Sequence, residues 1–189
     1  MKILIYSALF STLFFAACSN TAQKQTEQAK DSLAVVKPET NTPEVASPIK
    51  EILSAYLELK DALSKDDDKG AAAAGKKLET AIVTFDKTPL TPDKAKIYTD
   101  IAESSKEHAE HIGKNVGNIK HQREHFESLS QDMYDLVKAF GAGQKLYVDH
   151  CPMYNKEKGA NWLSATKEIS NPYLGQSMLT CGTVKEELN

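Results

Sequence analysis

From Ile49 to Phe140 apolar residues recur at helical spacing in four successive stretches, and each stretch is closed by a turn or capping signal. The first carries Ile49, Ile52, Leu53, Tyr56 and Leu63 and fades at the acidic run Asp66 to Asp68. The second runs through Ala71, Ala74, Leu78, Ala81, Ile82 and Phe85 to a stop at Pro89, and its alanine-rich first half suits close helix packing. Thr91 is an N-cap with Pro92 at the first helical position, opening a third helix that buries Tyr98, Ile101, Ala102, Ala109 and Ile112 and ends near Gly113. Asn118 caps a fourth, with a core stripe of Ile119, Phe126, Leu129, Met133, Leu136, Val137 and Phe140 before Gly141 and Gly143. Short connections favour antiparallel neighbours, so the pattern predicts a mainly α protein built on an up-down four-helix bundle.

Beyond Gly143 the pattern changes. Lys145 to Asp149 and Asn161 to Ser164 read as paired strands and Met178 to Val184 as a third, giving a small C-terminal β and loop cap. This cap holds two of the chain's three cysteines and two of its four methionines, as Cys151 with Met153 and Met178 with Cys181. Thiolates and thioethers together favour Cu(I), with Zn(II) behind it. The same two cysteines could instead close a disulfide, worth on the order of 3 to 4 kcal/mol for a loop of about thirty residues. Both readings stand at this point.

Four histidines fall at one end of the predicted bundle: His108 and His111 in the last turns of the third helix, His121 and His125 in the first turns of the fourth. Each pair shares a helix face. They make either an imidazole metal site or a solvated patch among Glu107, Glu110 and Glu124. His125 has a further claim. With a rise of about 1.5 Å per helical residue and about 3.3 Å per strand residue, a chain that turns at Gly141 to Gly143 brings Cys151 back about 26 Å, to the level of Arg123 to His125. His125 is therefore the candidate nitrogen donor to the sulfur cluster, with His111, His121 and His108 as secondary candidates.

Residues 1–17 read as an export signal: Lys2, an apolar run from Ile3 to Phe15, then Ala16-Ala17 before Cys18. This resembles a bacterial lipoprotein signal, which implies lipidation of Cys18 and a membrane anchor. Ser19 to Pro48 is polar, with too little apolar surface to offset ordering entropy, and reads as a flexible tether. Residues 49–189 then form one helical domain with its cap. A net charge of -3 gives no electrostatic footprint for nucleic acid. Nothing around Cys151 resembles a nucleophile motif, and the expectation is a binding protein, not an enzyme.

Cys151-Pro152-Met153, Gly159-Ala160-Asn161-Trp162-Leu163-Ser164, Asn171-Pro172-Tyr173 and Met178-Leu179-Thr180-Cys181-Gly182, with Gln122 to Phe126 and Leu129-Ser130 before them, resemble an uncharacterised domain family of Bacteroidetes-type bacteria. Such domains occur in exported lipoproteins and attached to periplasmic adaptors of heavy-metal efflux systems. Tyr147 to Met153 also resembles a short Tyr, Cys-Pro-Met heavy-metal motif, with Tyr147 four residues before the cysteine. The resemblance implies a lipid-anchored, periplasm-facing domain that handles a metal ion and has an efflux adaptor as its partner.

Overall fold

Three of the four helices begin at a side-chain cap. In the computed structural model, which describes residues 47–189, Asp67 accepts from Gly70 N at the start of α2 (Asp68–Val83), and Thr91 from Lys94 N at the start of α3 (Pro92–Lys114). Asn118 accepts from His121 N at the start of α4 (Ile119–Phe140). These bonds satisfy amide groups that a helix N-terminus leaves open. The first helix, α1 (Lys50–Ser64), lacks a side-chain cap of this kind. Its approach is fixed by Ser47, which takes a bond from Ile49 N and donates 2.6 Å to Gly141 O at the far end of α4.

The helices pack in sequence, α1 on α2, α2 on α3 and α3 on α4, as an up-down bundle. The alanine-rich start of α2 lies against the end of α3. There Gly75 and Gly113 allow the backbones to approach: a Cβ on Gly75 would come within 3.0 Å of Ala109 O and Gly113 N. At the other end of the same pair the Tyr98 hydroxyl donates 2.8 Å to Ile82 O. Ile52, Tyr56, Leu59, Leu78, Ile112, Phe126, Leu129, Met133 and Leu136 fill the interior.

The cap is a three-stranded antiparallel sheet in the order β2-β1-β3: β1 (Leu146–Cys151) in the centre, β2 (Ala160–Ser164) on one side and β3 (Thr183–Leu188) on the other. Cys151 pairs with Ala160, and His150 with both Asn161 and Thr183. A bulge interrupts the β1–β3 register between Val148 and Asp149. The third strand thus starts later than the alternation predicts. Residues 178–182 are held in turns: Met178 N bonds Gly175 O, Cys181 N bonds Met178 O, and Asn171 takes the Leu179 and Cys181 carbonyls. Backbone used in this way is not free to join a ladder.

Tyr56 and Arg123 make the most connected of the contacts that seat the cap on the bundle. The Tyr56 hydroxyl bridges Ser130 Oγ at 2.8 Å and Leu163 N at 3.1 Å, tying α1, α4 and β2 together. Arg123 of α4 donates to Pro172 O at 2.7 Å, Leu63 O at 2.9 Å and Asp66 Oδ1 at 2.5 Å, joining the cap loop to the α1–α2 turn. Gly175, at φ +55°, lies so close to Asp66 and Arg123 that a side chain there would overlap them. Residues 1–46, including the expected signal, Cys18 and most of the tether, lie outside the described residues. Among the described residues no helix is long and apolar enough to cross a membrane.

Candidate metal centres

The two cysteines of the cap meet at the end of β1. Cys151 is fully buried as the last residue of that strand; Cys181 is half-buried in the turn before β3, and the two Sγ atoms are 3.5 Å apart. Both are free thiols, well beyond the bonding distance of about 2.05 Å for a disulfide. Burial, and then the adjacent Cys151 sulfur, raise the Cys181 thiol above its ordinary value. Thiolates are the ligating form, so an ion bound by both sulfurs must displace protons.

Met153 and Met178 are 50% and 45% exposed, against complete burial of Met133 in the core. Two and three residues from the cysteines in sequence and exposed, these side chains are accessible as thioether donors, whereas Met133 is packing. The turn Tyr154–Glu157 follows Met153, and Asn155, Lys156 and Glu157 all have positive φ. Such left-handed backbone costs about 1 to 2 kcal/mol per residue and survives only where neighbours enforce it. Here Asn155 is held to Glu127 at 3.1 Å and the Tyr154 ring stacks on Tyr173.

His125 does not join the sulfurs. The face of α4 that meets the cap loop and the Tyr154 turn carries Arg123 and Glu127, while His125 turns the other way, towards α3. Successive helical residues are about 100° apart, so a length argument can fix a level along α4 but not the side that faces the cap. On its own side His125 is the centre of a histidine cluster. Its Nδ1 is 3.0 Å from His108 Nδ1; its ring stacks on His111 with centroids 4.3 Å apart and meets His121 edge-on at 4.6 Å. One nitrogen from each of His111, His121 and His125 lies within 4.8 Å of the others. Burial, and then the charges of His111, His121 and His108, push His125 down to about 4, so it is a neutral imidazole at neutral pH. Glu124 stands 3.4 Å from His121 Nδ1 as an outer carboxylate.

Two residues beside the sulfurs carry no pattern in the sequence reading. His150, half-exposed and adjacent to Cys151, bonds Asn161 Oδ1 at 2.8 Å and lies over Gly159. Strand alternation places its side chain on the opposite face from Cys151. Asp149, on the Cys151 face, is fully buried, and neither carboxylate oxygen has a protein partner. Burial raises it to about 7, against a smaller opposing pull from Lys60. A charged residue inside a strand pattern is the signal that could have marked it.

Residues 52–145 match the model of a family described as a protein of unknown function, DUF3347. The matched stretch covers the helical bundle and the histidine cluster and stops one residue before β1, so the sulfur cap lies outside it. No curated protein and no solved structure matches the chain.

Proposed function

We propose that this domain holds a soft metal ion, Cu(I) before Zn(II), between Cys151 and Cys181, with Met153 and Met178 as thioether donors at the rim. The observation that carries the reading is the pair of free thiols 3.5 Å apart, brought together from 30 residues apart in sequence. The two exposed methionines, two and three residues from these cysteines in sequence, would extend the donor set in the direction Cu(I) prefers. His125 is left out of this centre because its contacts are with the other histidines. The domain then acts as a binding protein and not as a catalyst. It is exported, anchored through a lipid on Cys18 and facing the periplasm, where it buffers the ion or passes it to a heavy-metal efflux adaptor.

Cu(I) titration of the reduced chain without air, against a competing chelator, tests the centre. Cys181→Ser should remove most of the affinity. Met153→Leu and Met178→Leu keep the volume, lose a weak donor and should reduce Cu(I) binding more than Zn(II) binding. Unchanged Cu(I) affinity in the Cys181→Ser protein would overturn the reading. The same sulfur proximity supports one rival, a disulfide in an oxidising compartment. Loss of both thiols on exposure to air, in a protein that binds no Cu(I) when reduced, would favour it.

A further inference from the structure

We propose a second metal site, separate from the sulfur pair, in which His111, His121 and His125 bind a borderline divalent ion such as Zn(II) through imidazole nitrogens. His108 positions His125. The site is built on a single hairpin: α3 ends with His108 and His111 one turn apart, α4 begins with His121 and His125 one turn apart, and only Asn115 to Asn118 lie between the helices. Asn118 caps α4 through His121 N, and Asn115 Nδ2 donates 2.7 Å to His111 O, so the backbone under both outer histidines is fixed by the loop. Gln122, fully buried, donates to Ile112 O and Asp68 O and holds α4 against α3 and α2 at the same level.

The donor chemistry follows from the hydrogen bond at the centre. His125 Nδ1 and His108 Nδ1 are 3.0 Å apart, so one donates to the other. When His125 binds an ion through Nε2, its Nδ1 carries the proton and donates to the lone pair of His108, the outer-sphere arrangement that orients metal-bound histidines. His111 and His121 stand on either side of His125, with ring centroids 6.0 Å from each other. A tetrahedral ion about 2.0 to 2.1 Å from each nitrogen needs them about 3.4 Å apart. The present spread, within 4.8 Å, closes to that by side-chain rotation alone, since His111 is exposed and His121 half-buried. Three imidazoles leave one coordination position for water or for a donor from a partner. An all-nitrogen site prefers Zn(II) or Cu(II), which separates it from the thiolate and thioether pair in kind as well as in place.

The test uses the reduced chain carrying Cys181→Ser, so that failure of the sulfur centre does not enter, and reads Zn(II) binding against a competing chelator. One Zn(II) per chain is expected, with affinity falling on the order of 100-fold in His121→Ala and in His111→Ala, whose side chains are accessible enough to be lost without unfolding. Histidine ring signals followed by NMR should shift together for residues 111, 121 and 125 on adding one equivalent. His108→Leu should weaken binding about 10- to 100-fold, and His108→Asn, which keeps an acceptor near the Nδ1 position, should restore most of it. A merely structural role for His108 would move the melting temperature and not this rescue. Absence of Zn(II) binding in the Cys181→Ser chain, or binding that survives His111→Ala and His121→Ala unchanged, would overturn the proposal.

Discussion

The histidine cluster and the sulfur pair are built in opposite ways. His108 to His125 span 17 residues and one helical hairpin, so two caps and a tight loop suffice to bring the four rings together. Cys151 and Cys181 meet only after a strand, a left-handed turn, a second strand and the Asn171 loop are all in place, and the whole cap must then dock on α1 and α4. A site made by local structure depends on the stability of one hairpin. A site made by closure over 30 residues depends on every joint in the loop. Perturbations should therefore divide into those that reach both regions and those that reach only the cap.

The largest effect should come from the part they share. Leu129 is fully buried in α4, the helix that packs on both α3 and β2. Leu129→Ala should cost about 3 to 5 kcal/mol, from lost burial together with the cavity left behind. The denaturant midpoint should fall, and metal binding at both regions should weaken together. A loss under about 1 kcal/mol would show that the α4 stripe is not the common core.

Arg123→Ala should act on one side only. Its side chain is 13% exposed and serves two carbonyls and Asp66; Leu63 O keeps a bond from Asp66 N, so removal of the guanidinium strands chiefly the Pro172 carbonyl, at a cost of about 1 to 3 kcal/mol. The ion pair itself adds little, since Asp66 is 42% exposed. Its sign with pH is nevertheless definite. The Arg123 hydrogen bond holds the Asp66 carboxyl below its ordinary 3.8, so this contribution is complete above that value and disappears as pH falls through the lowered one. Amide exchange should accelerate in residues 170–184 of the variant and stay unchanged in the 108–125 hairpin. Equal acceleration in both would remove the distinction between them.

The same division explains what could be read from the sequence. The limits of α3 and α4 were legible because Thr91, Asn118 and Gly141 act on their immediate neighbours. The Asp67 cap reads in the sequence only as part of an acidic run, and α2 ends at Val83, short of the Phe85 to Pro89 stop that the periodicity predicts. The grouping of four histidines followed from spacing plus one short loop. The sulfur pairing was legible as residue types, but its geometry was not. Nothing local shows that Asn171 takes the 179 and 181 carbonyls and delays the third strand to Thr183. Chain length fixes a level along a helix and leaves the facing side undetermined, so it points His125 to the sulfurs while the contacts of His125 are with the other histidines. Asp149 carries no local signal of burial, which is a property of the assembled fold.

Gly182 tests the closure at its tightest joint. It follows Cys181 with φ +151°, and a Cβ there would come within 3.0 Å of His150 O and of Trp162 Cη2. Both neighbours are fixed, one by the β1 ladder and one by complete burial. Gly182→Ala should cost about 1 to 3 kcal/mol, through backbone strain and the displaced neighbours. The turn carrying Cys181 must move away from Cys151, so Cu(I) affinity should fall while Zn(II) binding at the histidines is unchanged. Retained Cu(I) affinity would mean that the thiols need not be held this closely.

The smallest expected effect is the sharpest test of the contrast. His121 is about one third exposed, its ring touches Glu124 at 3.4 Å, and no buried group depends on its side chain. His121→Ala should therefore change stability by no more than about 0.5 kcal/mol in the metal-free chain, as exposed substitutions do. Its cost should appear only with the ion present. Zn(II) in excess should raise the melting temperature of the Cys181→Ser chain by mass action and should lose most of that effect when His121→Ala is added. A large loss in the metal-free chain would instead make His121 part of the hairpin's own packing. The cluster would then be a support for α3 and α4, and the Zn(II) comparison would have to be made with His111→Ala alone.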